Sequence, residues 1–384
     1  MDPSAQFCPN RACRDKGLRG HGNIGVHSQK EHRYRCRRCG QTFAATTGTP
    51  FYRLHHAAEV LTIVVTLLAL GCPLQAIVVA FGLDERTVRA WWVRAGQHSE
   101  QVHTHLVQAG QVDLGHVQAD ELWVKMHKGR VWQAMAMAVP SRLWLGGVLS
   151  AQRDEALILA LMQRVRACAR SLVILVCVDG LASYVTAVRR VFRIRLLTGK
   201  PGRPRLVLPR TVLLAQVIKH AKNRRVVGVS RRVVVGTVEA VERVLAATHT
   251  GRQINTAYIE RLNATFRACL VPLTRRGRRL VHDPMLLQAG MFLVGTAYNF
   301  CWVHRSLRVR VAGEGLWQER TPAMAAGLTA HVWTVQEVLR YQVPPAPYVA
   351  PKRRGRPPKP RPEVVSRPKQ RGRPPRSRPA EVAA

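Results

Sequence analysis

A short apolar segment that ends in an acid limits the possible folds more than any other part of the chain. Residues 172–178 read LVILVCV, and such a run rich in β-branched residues is typical of a strand buried on both faces. Asp179 and Gly180 follow, and a helical pattern then covers Ala182–Phe192. We therefore predict a buried strand of an α/β sheet with a carboxylate at its carboxyl end, where such sheets place ligands. The alternative is that Asp179 only caps the next helix.

Four further elements are predicted before this strand. Strands are expected at 112–124, 131–139 and 142–149, and a helix at 154–170. The order is therefore three strands, a helix, the strand that ends at Asp179, and a helix. This order is that of a ribonuclease H-like α/β fold, a mixed sheet flanked by helices in which the first and fourth strands lie side by side.

The first of these strands contains two adjacent acids, Asp120 and Glu121. Side chains alternate between the faces of a strand, so only one of the two is expected to point into a shared site. We predict that Asp120 meets Asp179 across the two neighbouring strands. Glu121 is expected to point away and to have a structural role.

A third acid lies on a helix predicted to open at Asn255 or Thr256. Glu260, Asn263 and Arg267 are spaced i, i+3 and i+7, which places them on one helix face. The alternative is that Glu260 is only an ion-pair partner of a neighbouring arginine.

The segment 193–251, which precedes this helix, is basic and less regular. It contains β-branched runs at 226–229 and 233–238, which predict a hairpin or an insertion.

Four of the nine cysteines lie close together near the start of the chain, as Cys8-x4-Cys13 and Cys36-x2-Cys39. Two such pairs predict a zinc ribbon over residues 1–50, with four thiolates around one ion. The alternative is four unrelated cysteines of a reduced protein.

A helix-turn-helix pattern follows within residues 55–105. Helices are predicted at 57–70, 74–81 and 85–95, with Asp84 capping the third. In the third helix, three polar residues are expected to face outward, toward a DNA major groove. They are Thr87, Arg89 and Arg94. The alternative is a helical bundle with no role in DNA binding.

Net charge points to a polyanionic partner. The chain has 60 Lys and Arg against 22 acids, a formal charge of +38. Residues 351–378 hold twelve Lys or Arg and one acid, so the rest of the chain still carries about +27. Nucleic acid is the expected partner. A membrane is not expected, because no signal peptide or sufficiently long apolar run is evident.

From residue 344 the composition predicts a disordered basic tail. It contains Arg-Gly-Arg-Pro twice, at 354–357 and 371–374, which is the core of an AT-hook for the DNA minor groove. Arg354, Arg356, Arg371 and Arg373 are its candidate DNA-binding residues. The alternative is a generic basic tail that binds phosphate without preference.

The acids and their surroundings together resemble a known family. Asp120 in QADELW, Asp179 in VCVDGLASY and Glu260 in NTAYIERLNATFR look like the acids of DDE transposases of the insertion-sequence-one-like family. The similarity continues through YNFCWVHRSL at 298–307 and RTPAMAAGL at 320–328. Together with the amino-terminal motifs, it covers about residues 7–335 of the chain.

This resemblance implies a ribonuclease H-like catalytic core over 112–335 that cleaves and joins DNA with two Mg²⁺ ions. Asp120 and Asp179 would contribute to both ions, and Glu260 would complete the second site, with Glu239 and Glu242 as alternatives for the third acid. Four further residues would bind DNA. They are Asn263, Arg267, Arg275 and Arg276.

The zinc ribbon and helix-turn-helix would recognise the terminal inverted repeats, and a homodimer or higher oligomer would join two ends. We expect a bacterial or archaeal cytoplasmic protein associated with the nucleoid. Two alternatives stay open: a DNA-binding regulator without activity, and a nuclease of the same fold that cuts without joining.

Overall fold

The structure is a computed structural model, described for residues 1–109, 111–127, 129–196, 203–223, 225–251, 253–270, 283–311 and 315–350. It is a mixed α/β protein with a six-stranded central sheet flanked by helices, and a cluster of cysteines near the amino terminus.

The strands and helices are numbered here in chain order. The strands are β1 Ile24–Ser28, β2 Arg33–Cys36, β3 Thr42–Ala44, β4 Gly115–Lys125, β5 Arg130–Ala138, β6 Leu143–Ser150, β7 Ile174–Asp179, β8 Ile194–Leu196, β9 Arg205–Val207, β10 Val212–Lys222, β11 Arg225–Val235, β12 Val309–Arg310 and β13 Trp317–Gln318. The helices are α1 Ala58–Ala69, α2 Leu74–Phe81, α3 Glu85–Leu106, α4 Glu155–Cys168, α5 Ala182–Val191, α6 Val238–Ala247, α7 Ala257–Cys269, α8 Pro284–Phe300, α9 Pro322–Ala325 and α10 Val335–Arg340.

The central sheet has the strand order β11-β10-β7-β4-β5-β6. Strands β4, β7 and β10 are parallel to one another, whereas β5, β6 and β11 pair antiparallel with their neighbours. The predicted mixed sheet is confirmed, as is the expectation that the first and fourth strands of the core are neighbours.

The apolar run that ends at Asp179 forms the middle of this sheet and is covered on both faces. Val176 and Val178 pack in one cluster with α4 and α5, while Leu175 and Cys177 pack against α6 on the opposite face. Burial on both faces explains why the run contains no polar residue before Asp179.

The same alternation continues in β4. Val117 and Ala119 belong to the cluster on the α4 and α5 face, whereas Leu122 and Val124 belong to the cluster that contains residues of α7 and α8. Helices α6, α7 and α8 therefore cover one face of the sheet, and α4 and α5 cover the other.

The predicted helix-turn-helix region forms three helices, and the third is longer than expected. Helix α3 runs from Glu85 to Leu106 rather than ending at Ala95, because its carboxyl-terminal half packs on α8. Gly96 permits this close packing, since a Cβ there would overlap Ala289 of α8. Residues of α1 and α3 consequently share one buried cluster with β4, α7 and α8.

The predicted hairpin within 193–251 exists, but its strands are different. The first β-branched run lies within β11, and the second begins in β11 and continues beyond its end. The strand that pairs with β11 is β10, Val212–Lys222, which was not predicted from the sequence. Strand β11 ends at Val235, within the second run, because Gly236, at φ +95°, turns the chain toward α6. Strand β10 pairs in parallel with β7, so this segment extends the central sheet.

The described part of the predicted tail contacts the amino-terminal residues. Arg14 lies over the ring of Tyr348, with the guanidinium carbon 5.9 Å from the ring centroid. Just before this segment, the side-chain amide of Gln342 donates a hydrogen bond to the carbonyl of Ala45 at 2.7 Å. Residues 344–350 thus lie against the amino-terminal region, and the remainder of the predicted disordered tail, 351–384, lies outside the described residues.

Residues 57–83 are as apolar as a membrane-spanning segment, but they form two short helices, α1 and α2. Within the described ranges, no helix combines the length and the apolar character needed to cross a membrane.

Candidate metal centres

Asp120 and Asp179 lie at the same level on neighbouring parallel strands. Gln118 of β4 is paired with Cys177 of β7. Two residues further along each parallel strand, on the same face, Asp120 and Asp179 therefore lie side by side. Strand β7 ends at Asp179, while β4 continues to Lys125. Both carboxylates therefore lie where the parallel strands open into a crevice, as predicted.

Three carboxylates converge at this point. An oxygen of Asp120, one of Glu121 and one of Asp179 all lie within 4.8 Å of one another. Hard divalent cations such as Mg²⁺ take oxygen ligands, so this donor set fits such an ion.

The surroundings of Asp120 disfavour its negative charge. Burial, and then the charge of the adjacent Glu121, raise the pKa of Asp120 to about 7, and Asp179 and Glu260 add to the effect. Because a cation between the carboxylates would remove this repulsion, the arrangement favours binding of a positive ion or a proton.

Asn263 of α7 holds Asp120 in place. Its side-chain nitrogen donates a hydrogen bond to Oδ2 of Asp120 at 2.8 Å, and the residue is only 2% exposed. This burial does not fit the predicted contact of Asn263 with the DNA backbone. The position on the same helix face as Glu260 was right, but the packing of α7 on β4 turns that part of the face inward.

Helix α7 is fixed to the sheet through its first turn. The side-chain oxygen of Gln118 accepts hydrogen bonds from the backbone N–H groups of Tyr258 and Ile259, each at 3.0 Å. A buried glutamine in β4 thus satisfies two of the free donors at the helix start. This contact sets the position of Glu260, one residue later.

Glu260 faces the aspartates but is engaged by other groups. Its Oε1 accepts hydrogen bonds from Nζ of Lys219 at 2.5 Å and from Oγ1 of Thr256 at 2.9 Å. Glu260 is not among the three acids whose oxygens lie within 4.8 Å of one another. Neither alternative third acid, Glu239 or Glu242 on α6, lines the same pocket.

Asp120, Asp179 and Glu260 line one pocket of about 320 Å³, which we call the acidic pocket. Lys219, Arg153 and Thr256 also contribute to its wall. Side chains from β4, β7, β10 and α7 are therefore brought together, although they are far apart in the sequence.

The expectation that only one of the two adjacent acids reaches the site is wrong. Glu121 faces the α5 side, where its Oε2 accepts a hydrogen bond from the hydroxyl of Tyr184 at 2.7 Å, yet one of its oxygens lies within 4.8 Å of an oxygen of each aspartate. The physical reason is that β7 ends at Asp179. Beyond that residue β4 has no neighbour on this side, so the longer glutamate side chain reaches around the edge.

Arg153 neutralises part of this negative charge. Its Nε donates to Oε1 of Glu121 at 2.7 Å, and its Nη2 contacts Oδ2 of Asp179 at 3.2 Å. The pKa of Glu121 is nevertheless raised, first by burial and then by the charge of Asp179. Arg153 is therefore a cation of the protein itself at the edge of the acidic pocket.

The four predicted cysteines form a second cluster, which we call the cysteine cluster. The sulfurs of Cys8, Cys13, Cys36 and Cys39 all lie within 4.8 Å of one another, and none is in a disulfide. Strands β1, β2 and β3 form the small antiparallel sheet beside it. Four sulfurs at this spacing fit one tetrahedral zinc ion.

Protonation differs across the cysteine cluster. Burial raises the pKa of Cys8 well above its usual value and also raises that of Cys13. For Cys39, burial acts in the same direction, but hydrogen bonds led by the backbone of Gln41 lower its pKa to about 7. Cys39 therefore loses its proton more readily than Cys8 or Cys13.

The three candidate DNA-reading residues of α3 differ in exposure. Arg89 is exposed and donates two hydrogen bonds to Oε1 of Glu85, at 2.9 and 2.8 Å. Thr87 is half-buried, and its backbone N–H donates to the capping Asp84. Arg94 was expected to face outward, but it is half-buried and donates to the carbonyl of Tyr52. The long α3 packs against the segment before α1, and this contact turns Arg94 inward.

Of the remaining predicted DNA-binding residues, only Arg267 lies within the described part of the chain. Arg267 is half-buried on α7 and takes part in an interaction. The others lie outside the described residues. They are Arg275, Arg276, Arg354, Arg356, Arg371 and Arg373.

Several side chains of the acidic pocket were missed from the sequence. Lys219 lies on β10, whose apolar run at 212–218 is the signal that would have placed it. Arg153 precedes the capping residue of α4, and Tyr184 lies within α5, and neither has a local signal. Their roles appear only when the strands are assembled.

Comparison with models of protein families and with curated proteins finds no match to this chain.

Proposed function

We propose that this protein is a transposase that binds the terminal inverted repeats of an insertion sequence and catalyses Mg²⁺-dependent DNA cleavage and strand transfer. The proposal rests on one observation above all. Asp120, Asp179 and Glu260, identified by their resemblance to DDE transposases, line the same pocket.

The topology supports a ribonuclease H-like core. Three antiparallel strands, a helix, a strand and a helix follow one another, and the fourth strand, β7, pairs in parallel with the first, β4. The carboxyl end of a parallel strand beside its neighbour is the usual place for a ligand in an α/β sheet. Asp179 is the last residue of β7.

The chemistry of the donors supports two divalent ions. Asp120 and Asp179 would contribute to both ions, and Glu260 would complete the second site. Two such ions activate the attacking oxygen and stabilise the leaving oxygen of an in-line displacement.

The chain's own residues would prepare the acidic pocket for this reaction. Asn263 orients Asp120 through the hydrogen bond at 2.8 Å. Oε1 of Glu260 is held by Lys219, so this lysine would compete with a metal ion for the carboxylate. Once displaced, Lys219 and Arg153 would be free to neutralise the negative charge of the DNA phosphates.

DNA recognition is proposed for the amino-terminal half and the tail. The cysteine cluster would hold structural zinc, and α2 and α3 would form the helix-turn-helix, with Arg89 as its exposed candidate contact. The net charge of +38 supports a strong attraction to the DNA backbone. The repeated Arg-Gly-Arg-Pro would add minor-groove contacts. A homodimer would join two element ends.

The test is metal-dependent cleavage of a labelled duplex that carries the element's own ends. Wild type is compared with Asp120→Asn, Asp179→Asn and Glu260→Gln, and DNA binding is measured in parallel. We expect nicking or joining with Mg²⁺ in wild type, and its loss in each variant while binding persists.

Three other results would change the proposal in distinct ways. Binding of the ends without cleavage by wild type would favour a DNA-binding regulator. Cleavage without any joined product would favour a nuclease of the same fold. Activity retained only by Glu260→Gln would mean that another residue is the third acid.

A further inference from the structure

A second pocket lies on the other flank of α7 and differs from the acidic pocket in charge. Its volume is about 440 Å³, and Arg142, Arg261 and His304 line it. No acid is among the described residues of its wall. We call it the cationic pocket.

Arg142 is held in an unusual backbone conformation beside this pocket. It lies in the turn between β5 and β6 with φ +60°, a region where glycine is free of strain and arginine is not. Its guanidinium carbon lies 3.8 Å from the centroid of the Tyr258 ring, and it also donates to the carbonyl of Val139. The stacking and the hydrogen bond fix the plane of this cation at the pocket wall.

No carboxylate of the described residues balances the positive charge of the pocket. Within the described ranges, neither Arg142 nor Arg261 has a carboxylate within ion-pair distance. The pKa of His304 is lowered, first by burial and then by the charge of Arg142, which indicates a positive electrostatic environment. The hydroxyl of Ser306 adds hydrogen-bonding capacity, whereas that of Thr265 donates to the carbonyl of Arg261 at 3.2 Å.

These groups suit a phosphate. Guanidinium groups bind phosphate oxygens through paired hydrogen bonds, and hydroxyls extend the set of donors. The pocket is large enough for a phosphate with part of its attached nucleotide.

Helix α7 connects this pocket to the acidic pocket. Thr256 and Glu260 line the acidic pocket, whereas Tyr258, Arg261 and Thr265 line the cationic one. A nucleic acid strand crossing this helix would therefore meet both.

We infer that the cationic pocket binds a backbone phosphate of DNA that flanks the phosphodiester held in the acidic pocket. The position of this phosphate next to the cleaved phosphodiester rests on the proposed function. The binding of a phosphate as such rests only on the residues of the cationic pocket.

Protection of arginines from phenylglyoxal, read residue by residue with mass spectrometry, tests this inference on the full chain. Saturating duplex DNA should slow modification of Arg142 and Arg261 by about tenfold, the effect of one charged hydrogen bond. Arg189, exposed on α5 at the opposite face of the sheet, is the internal control and should change little. Equal rates of modification of Arg142 and Arg261 with and without DNA would overturn the inference. Equal protection by inorganic phosphate at the same ionic strength would also overturn it, in favour of a free-phosphate site.

A pair of variants gives an independent readout. The combination Arg142→Gly and Arg261→Gln should lower the slope of log Kd against log salt by about 1, the loss of one phosphate contact. Glycine removes the backbone strain at residue 142, so poor folding is not expected to cause this effect. Arg189→Gln should leave the slope unchanged. A slope equal to that of wild type in the paired variant would contradict the inference.

Asp120→Asn separates this inference from the proposed function. If Asp120→Asn still cleaves DNA, the transposase proposal fails, but DNA protection of Arg142 and Arg261 would still establish the phosphate site.

Discussion

The cysteine cluster and the acidic pocket both bring like-charged metal ligands together, but they do so in different ways. The cysteine cluster is local, since Cys8 and Cys39 span a short part of the chain, and its sulfurs contact mainly one another. The acidic pocket joins β4, β7 and α7, and two cations of the protein, Arg153 and Lys219, already contact its carboxylates.

This difference indicates how each site would depend on a bound metal. Among the described residues, no Lys or Arg donates a hydrogen bond to the four sulfurs, so the thiolate forms of the buried Cys8 and Cys13 would depend on zinc. The acidic pocket is partly neutralised without a metal and is held by the central sheet. We therefore expect the loss of zinc to unfold residues 1–50, and the loss of Mg²⁺ to leave the central sheet folded.

Removal of one zinc ligand should give the largest effect. Cys36→Ser removes a fully buried ligand, and structural zinc contributes on the order of 10 kcal/mol to folding of small domains. We expect bound zinc to fall from one ion per chain to nearly none, and residues 1–50 to become sensitive to protease. Cys72→Ser, outside the cluster, is the control. Retention of one zinc by Cys36→Ser would contradict the assignment.

Replacement of the first aspartate should stabilise the metal-free protein. The pKa of Asp120 is about 7 in the folded state against an ordinary 3.8, so folding stability is lost as the pH rises between these values. Asp120→Asn removes that loss. We expect a gain of about 2–4 kcal/mol in the free energy of unfolding at pH 8, shrinking toward zero near pH 4.

Denaturant unfolding of wild type and Asp120→Asn, in Mg²⁺-free buffer that retains zinc, measures this difference. A variant equal to or less stable than wild type at pH 8 would contradict the charge repulsion described for the pocket.

The adjacent acid should respond in the opposite direction. Glu121→Ala removes the hydrogen-bond partner of the buried Tyr184 hydroxyl and of Arg153, and the loss of these bonds should cost about 2 kcal/mol even after the relief of a charge that burial disfavours. Glu100→Ala, whose ion pair with Arg164 is partly exposed, should cost less than about 0.5 kcal/mol. Urea unfolding near pH 7 compares the two. Equal stability of both variants would refute a structural role for Glu121.

Removal of the lysine beside the third acid should give the smallest effect. Lys219 and Glu260 are 50% and 46% exposed at their side chains, so their ion pair is weak. Lys219→Met should tighten Mn²⁺ binding by at most about fivefold, because it removes a competing cation. Lys222→Met, at the end of the same strand, controls for the change in net charge. Weaker metal binding in Lys219→Met would show that the lysine supports the site instead.

Local patterns predicted the parts of both sites that depend on one segment. The cysteine spacing gave the complete cluster, and the apolar run before Asp179 gave the central strand and its final acid. The pairing of β4 with β7 followed from the order of elements, and it places Asp120 level with Asp179.

Features that depend on where an element ends could not be predicted in this way. Alternation along β4 gives the face of Glu121, but its approach to Asp179 follows from the end of β7. The inward position of Arg94 depends on the packing of the long α3, and the ion pair of Lys219 depends on β10, which was not predicted. In each case the deciding contact joins residues distant in sequence.

The central claim is that the acidic pocket binds catalytic divalent metal, and iron-directed cleavage of the polypeptide tests it most directly. Fe²⁺ with ascorbate and peroxide cuts a backbone close to where the ion is bound, and the fragments are identified by mass spectrometry. We expect cuts near Asp120, Asp179 and Glu260 that excess Mg²⁺ suppresses and that are absent in Asp179→Asn. Absence of cuts at these positions in wild type, or cuts unaffected by Asp179→Asn, would contradict the account.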